Sequence, residues 1–160
     1  MSSRDSRVGA PDPELSTTLR TILDDLLSCA RALHETLIAE REALTGHNLS
    51  TLNVHTDAKK DYLVRLEALE VQRRQILNSM NLDPGQELFV PELNGIWQAV
   101  LEQLKDCQEA NEVNGAIVRT HQTQTQRALD LLAGRDGRQT VYEADGLPAR
   151  RPGSSEIAKA

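Results

Sequence analysis

The feature that most limits how this chain can fold is a long apolar repeat between Leu93 and Leu132. Apolar side chains recur there at alternating intervals of four and three residues, and no proline follows Pro91 within the stretch. That spacing is typical of the seam of a long helix in a coiled-coil-like bundle. Proline suits the first turn of a helix, so the sequence predicts a helix over residues 91–133, roughly 60 Å long.

The second half of this seam is polar, which is unusual for a buried helix face. Asn111, Asn114 and His121 stand where Leu or Ile would be expected, and Gly115 costs about 1 kcal/mol relative to Ala inside a helix. Two interpretations stay open: the asparagines set the register of the bundle, or they contact an incoming partner helix. Gly115 is compatible with both interpretations, because a glycine allows another helix, from the bundle or from a partner, to approach closely. The candidate partner-binding residues are Asn111, Asn114, Gly115 and Val118.

Two further helices precede the long one. A leucine-rich stripe predicts the first over residues 14–45, and Gly46 is a natural stop. A second, thinner stripe predicts a helix over residues 49–80, ended by the turn residues Asn81 to Gly85. Short connections between helices favour antiparallel neighbours. The fold class is therefore all-α: an elongated, coiled-coil-like, up-down-up three-helix bundle over residues 14–133.

Charged residues are assigned mostly to the wet faces of these helices. Glu40 is placed largely opposite the apolar stripe, and the block from Asp57 to Asp61 is interpreted as a solvated face. Arg73 and Arg74 form a run too short to indicate nucleic-acid binding. Trp97 is interpreted as core, and Cys29 and Cys107 as reduced core thiols.

Both ends of the chain lack helical periodicity. Residues 1–13 and 134–160 are rich in Gly, Pro, Ser and mixed charge, so they are predicted to be a disordered N-terminal arm and a flexible C-terminal tail. Within the tail, Val141 and Tyr142 are the clustered apolar pair. An aromatic side chain in such a segment is a common weak docking anchor, although an inert tail is the plain alternative.

Several functional classes are excluded by the composition. A formal net charge of −6 without a basic stripe argues against nucleic-acid binding. No apolar run is long enough to insert stably in a membrane, and the N-terminus lacks a signal-peptide pattern, so a cytoplasmic location is expected. The four histidines form no metal-binding spacing, and no phosphate loop or nucleophile–base pair is evident. We expect no enzyme activity, no metal and no cofactor.

Several short motifs resemble one known family over residues 15–146. They are Glu40-x-Glu42-x-Leu44, Leu49-x-x-Leu52, Lys59-Lys60 leading to Leu63, Leu66 and Leu69, Asn111-x-x-Asn114-Gly115, and Tyr142-Glu-Ala-Asp-Gly146. In these the chain resembles FlgN, the flagellar type III export chaperone. The two most informative motifs are the asparagine pair with its glycine inside a helix, and the aromatic and acidic segment shortly after the helix ends.

The resemblance implies a cytoplasmic, non-catalytic chaperone that binds hook-associated (hook–filament junction) proteins. It would prevent their premature association and deliver them to the flagellar export gate, with Val141 and Tyr142 as candidate docking residues. Physically, a client helix would complete a four-helix arrangement in a groove between two helices. The alternative is a cytoplasmic coiled-coil adaptor or self-assembling structural protein without a flagellar role.

Overall fold

The computed structural model describes residues 12–135 and, for Leu88 and Phe89, the backbone alone. Three α-helices account for most of this range: α1 (Pro13–Thr45), α2 (Leu49–Ser79) and α3 (Pro91–Leu132). Each bound differs by at most one residue from the predicted helix. The predicted arm and tail, with Val141 and Tyr142, lie almost wholly outside the described residues.

Local capping chemistry explains where α1 and α2 begin. The Asp12 carboxylate accepts a hydrogen bond from the Glu14 backbone N–H at 2.9 Å, directly before the proline of the first turn. Asn48 caps α2 in the same way, with Oδ1 accepting from Thr51 N–H at 3.1 Å. Such caps satisfy backbone donors that have no partner within the helix. Between the two helices, His47 has a positive φ of 54° that reverses the chain.

A structured corner joins α2 to α3. Asn81 and Gly85 both take positive φ, and a short 3-10 helix, Gln86–Phe89, follows directly. Gly85 at φ 95° lies where a side chain would strain the backbone. The connector therefore has defined geometry and carries Glu87 into the protein interior.

Hydrogen bonds between helices establish their relative direction. Cys107 Sγ donates to the Ala30 carbonyl at 3.2 Å, and seven residues later Asn114 Nδ2 donates to the Leu37 carbonyl at 2.8 Å. The two pairs have the same sequence separation, 77 residues, so α1 and α3 run parallel in a heptad-like register. α2 runs antiparallel to both, which confirms the predicted up-down-up order.

The core is distributed unevenly among the helices. Within the described residues, α1 buries eleven side chains, α3 six, and α2 only Leu69, Arg73 and Leu77. One cluster near the α2–α3 corner packs α1 leucines against Leu77, Leu93, Trp97 and Val100. As predicted, Trp97 is a core residue, 8% exposed. Since α2 buries so few side chains, its N-terminal half leaves apolar surface uncovered.

The chain divides into two compact units, Met1–His121 and Gln122–Ala160. The packing described above belongs to the first unit. The described part of the second contains the last turns of α3, where Leu129, Leu131 and Leu132 are 53%, 61% and 86% exposed. None of the helices among residues 12–135 is long and apolar enough to cross a membrane.

Candidate functional site

An open apolar groove lies between α2 and α3, with α1 beneath it. Its volume is about 250 Å³. The floor comes from buried α1 leucines and the walls from α2 and α3; the apolar lining residues are Leu33, Leu37, Leu63, Leu66, Leu104 and Cys107. Leu63 is 49% exposed, a large exposed fraction for a leucine that borders the core. The groove exists because the inward-facing side chains of α2 do not fill the space between the other two helices.

Polar side chains from all three helices meet at one end of this groove. They are Glu40, Arg41, Lys59, Asn111 and Asn114, here named the groove cluster. Lys59 Nζ donates to both carboxylate oxygens of Glu40 at 3.2 Å and to Asn111 Oδ1 at 3.0 Å. Asn114 Nδ2 donates to Glu40 Oε2 at 2.8 Å, and Asn114 Oδ1 accepts from Arg41 Nε at 3.1 Å. The cluster thus ties α1 to both α2 and α3.

Asn114 belongs to the interior of the bundle. Its side chain is 2% exposed, and its Nδ2 group also donates to the Leu37 carbonyl of α1. A buried amide with all its partners on one neighbouring helix penalises any shift of that helix along the seam, because a shift would leave the amide unpaired. For Asn114 the structure favours the register-setting interpretation over direct partner contact.

Asn111, three residues earlier, is in a different position. It is exposed, although the apolar repeat placed it in the seam. Its Oδ1 faces the ammonium group of Lys59, and that assignment is chemically required because lysine has no acceptor. Within residues 12–135 the Asn111 Nδ2 group makes no hydrogen bond. The exposed amide therefore offers two donors at the end of the groove.

Gly115 and Val118 continue the face of α3 that borders the groove. Leu104, Gln108 and Asn111 line it, and the next positions at helical spacing are 115 and 118. A Cβ added to Gly115 would meet Arg119 Nη1 at 3.3 Å, and no other described helix comes within 4 Å. Gly115 therefore has no close neighbour in the bundle that would require a glycine. Val118 is 39% exposed.

A second, wider groove lies between α1 and α3. Its volume is about 350 Å³ and its lining mixes charged and polar side chains with apolar ones: His34, Ile38, Arg41, Asp106, Glu109, Ala110 and Val113. Arg41 reaches into it while donating from Nη2 to the Ala110 carbonyl at 3.3 Å. With three charged side chains in its lining, this groove offers less apolar area for hydrophobic burial than the groove between α2 and α3.

A second polar cluster fixes the α2–α3 corner. Arg73, Glu70, Glu87 and Trp97 form it, here named the corner cluster. Arg73 makes two hydrogen bonds to Glu70, 2.7 and 2.9 Å, and pairs with Glu87, which is fully buried. Its guanidinium also lies 4.4 Å from the centre of the Trp97 ring. Burial acts to lower the pKa of Arg73, but the carboxylates of Glu70 and Glu87 outweigh it and raise the pKa.

Two of these charged positions differ from the prediction. Glu40, placed largely opposite the apolar stripe, is 5% exposed, and Lys59, from the block interpreted as a solvated face, lines the groove. Arg73 is 3% exposed, and its burial was not predicted from the sequence. Their spacing does contain a signal. Glu40 follows Leu37 by three residues, and Arg73 follows Leu69 by four, so both occupy apolar-stripe positions.

The two cysteines are free and buried, as predicted. Burial raises the pKa of the Cys29 thiol. Burial also raises the pKa of the Cys107 thiol to about 11, with the nearby Asp106 carboxylate adding to the shift. Protonated, enclosed thiols are poor nucleophiles and poor metal ligands.

Histidines do not assemble a metal site in the described part of the chain. Within residues 12–135 no group of three or more His, Cys, Asp or Glu side chains is arranged to hold a metal ion. His47 and His121 stack with ring centroids 4.9 Å apart, which places the α1–α2 turn against α3.

A helical bundle with an open apolar groove has the geometry to accept a partner helix. The family model for the FlgN protein matches residues 15–150, and the chain belongs to that family. It is a flagellar export chaperone for hook-associated proteins and not an enzyme. No curated protein and no solved structure matches the chain significantly.

This assignment confirms the resemblance, the all-helical fold and the chaperone function expected from the sequence. The alternative of an adaptor or structural protein without a flagellar role is set aside by the family match. Partner-binding positions and delivery to the export gate stay predictions, and the docking pair Val141–Tyr142 lies outside the described residues.

Proposed function

We propose that this chaperone holds a helical segment of a hook-associated protein in the groove between α2 and α3. The observation that carries the proposal is the groove itself, an open cavity of about 250 Å³ with leucines on its floor and both walls. A client helix laid there would give the bundle a fourth member and cover the half-exposed Leu63. Unlike the wider α1–α3 groove, this one is chiefly apolar and can drive binding by hydrophobic burial.

The size of the driving force follows from the leucines that remain partly open. Full burial of a leucine side chain contributes roughly 1.5–3 kcal/mol, so completing the burial of Leu63 supplies about half of that. Leu66 and Leu104 are intermediate in exposure and add smaller increments. Together with client side chains buried in return, these terms support reversible binding, as a carrier that must release its client requires.

The α3 residues singled out in the sequence have distinct roles in this proposal. Asn114 fixes the bundle beneath the groove, whereas Asn111 presents free amide donors to the client. Gly115 lacks a side chain on the face that continues the groove wall, so a client helix can approach the α3 backbone closely there. Val118 adds apolar contact one turn further along.

A matched pair of substitutions on α2 tests the site. Leu63 lines the groove, while Val64, the next residue, is 66% exposed and does not line it. Leu63→Glu should weaken binding of purified hook-associated proteins by about tenfold or more, whereas Val64→Glu should leave it unchanged. Isothermal titration with each hook-associated protein measures the affinities, and thermal melting checks that both variants fold.

Leu129→Glu extends the test to the end of α3 in the second unit. Loss of binding in Leu129→Glu, combined with normal binding in Leu63→Glu, would show that the client binds the exposed leucines there and would reject the groove. Loss of binding in Leu63→Glu alone would support the groove as the client site.

We also propose that the protein works in the cytoplasm and delivers its client to the flagellar export gate through Val141 and Tyr142. The support is the family assignment together with an apolar pair in an otherwise polar tail. Tyr142→Ala should reduce secretion of hook-associated proteins and motility in cells while leaving client affinity in solution unchanged. Normal secretion would contradict the docking role, and weaker client affinity would move the pair to the client site.

A further inference from the structure

The polar end of the groove has an uneven supply of donors and acceptors. Among the nine residues lining the groove, Lys59 is the charged one, and its side chain is 24% exposed. Lys59 pairs with Glu40, but the Glu40 side chain is 7% exposed and does not line the groove, so the ammonium group of Lys59 is the charge that the groove presents to a partner. This contrasts with the net charge of −6 of the protein as a whole.

Hydrogen bonding within the groove cluster occupies acceptors at this end of the groove. Lys59 consumes the Oδ1 acceptor of Asn111, and Glu40 accepts from both Lys59 and Asn114. What is left at the groove end is the Nδ2 group of Asn111, a donor, beside the ammonium group of Lys59. A site made of an ammonium and amide donors matches a carboxylate, because carboxylates accept through two oxygens.

We infer that Lys59 and Asn111 bind a carboxylate side chain of the client, an Asp or Glu on the polar edge of its otherwise apolar helix. This rests on the proposed groove and adds the chemistry by which the groove selects and orients its occupant. Apolar burial sets no direction along a groove, whereas one ion pair at its end fixes both the direction and the position of the helix. The occupant is therefore an amphipathic client helix with an acidic residue where it meets the end of the groove.

Lys60 provides a matched control for Lys59. Both are lysines on α2, but the Lys60 side chain is 69% exposed and pairs with Asp57 away from the groove. Lys59→Met should weaken binding of the purified hook-associated proteins by about tenfold, and Lys60→Met by less than about twofold. Added sodium chloride should weaken binding by wild type and the Lys60→Met variant, but much less by Lys59→Met, because the screened ion pair is gone.

Removal of Lys59 also takes away the cationic partner of the buried Glu40 carboxylate and can destabilise the protein. The effect on stability must therefore be measured apart from the effect on client binding. The double variant Lys59→Met with Glu40→Gln removes both charges and keeps an acceptor for Asn114. It should melt near wild type and still bind the client about tenfold more weakly. If the double variant recovers wild-type affinity, the effect of Lys59 was on folding alone and the inference is wrong.

The client supplies the other half of the test. Each Asp and Glu of the bound helix is changed to its amide in turn; one change should weaken binding about tenfold in wild type and have almost no further effect in Lys59→Met. Additive losses at every position would overturn the carboxylate inference. The Leu63→Glu variant separates the proposed groove from the proposed carboxylate site. If Leu63→Glu abolishes binding while the Lys59 variants bind normally, the groove is the client site but Lys59 does not bind a client carboxylate. If Leu63→Glu binds normally, both the groove and the carboxylate site are rejected.

Discussion

The groove cluster and the corner cluster use similar side chains for different purposes. At the corner, Arg73 lies between two carboxylates and above Trp97, and Glu87 is completely buried. In the groove cluster, Lys59 is partly exposed, and the amide of Asn111 keeps donors free. The Arg73–Glu87 pair is enclosed in the interior, whereas the ammonium group of Lys59 stays accessible at the end of an open groove.

The difference teaches which polar groups hold the bundle and which are available to a partner. A buried ion pair whose hydrogen bonds are complete has little to gain from a ligand, and breaking it leaves a charge stranded in the interior. A cluster at a groove end keeps some hydration and some donors, so a partner can improve it. The corner closes the α2–α3 connection, whereas the groove cluster combines a structural half, Asn114, with an accessible half, Asn111 and Lys59.

The largest expected effect comes from breaking the corner cluster. Arg73→Met leaves Glu87 buried without its cationic partner and should destabilise the protein by about 3–5 kcal/mol. Arg74→Met is the control, because Arg74 pairs with the same Glu70 but is 63% exposed; its cost should stay below about 1 kcal/mol. Urea denaturation of both variants measures the difference. Equal losses of unfolding free energy in the two variants would mean that the buried Arg73 contributes no more to stability than the exposed Arg74.

A smaller effect separates the two asparagines of the groove cluster. Asn114→Leu leaves the buried Glu40 with one partner fewer and removes a bond to α1, so it should cost about 1–3 kcal/mol. Asn111→Leu, on the exposed side, should change the free energy of unfolding by less than about 0.5 kcal/mol but weaken client binding. Paired measurements of stability and affinity test this division. A reversed pattern would contradict the assignment of structural and binding roles.

Gly115 offers a change in the stabilising direction. Gly115→Ala should raise the free energy of unfolding by about 1 kcal/mol, since the methyl group meets only the flexible end of Arg119. Gly95→Ala, with nothing within 4 Å of the added Cβ, is the control for the same gain. Gly115→Leu should then weaken client binding while Gly95→Leu leaves it intact. Equal affinities in the two leucine variants would remove Gly115 from the binding face.

The smallest effect is a pH dependence confined to the corner. Hydrogen bonds from Arg73, aided by Arg74, lower the pKa of Glu70 despite the opposing effect of burial. Its stabilisation is thus present above the unfolded pKa, about 4.3, and is lost as pH falls through the lower folded value. The stability advantage of wild type over Glu70→Gln should be below about 1 kcal/mol at pH 7 and shrink in acid. An advantage that grows in acid would contradict this sign.

Periodicity and capping residues were enough to predict the helices. Pro13, Gly46 and Pro91 act locally on the backbone, so their meaning does not depend on distant residues. The leucine stripes likewise give the buried face of each helix. The predicted seam is correct at Cys107 and Asn114, which are buried, and wrong at Asn111, because α1 packs against the neighbouring Ala110 instead.

The sequence by itself determined the all-helical fold, the order of the helices and the membership of the FlgN family, because these depend on spacing and on short motifs. Tertiary structure alone decided which charges are buried and where the groove opens. Glu40 meets Lys59 across 19 residues and Asn114 across 74, and no local rule assigns such partners. Burial of a charge depends on a partner arriving from another helix, so the functional division of the groove cluster became visible only once the three helices were packed.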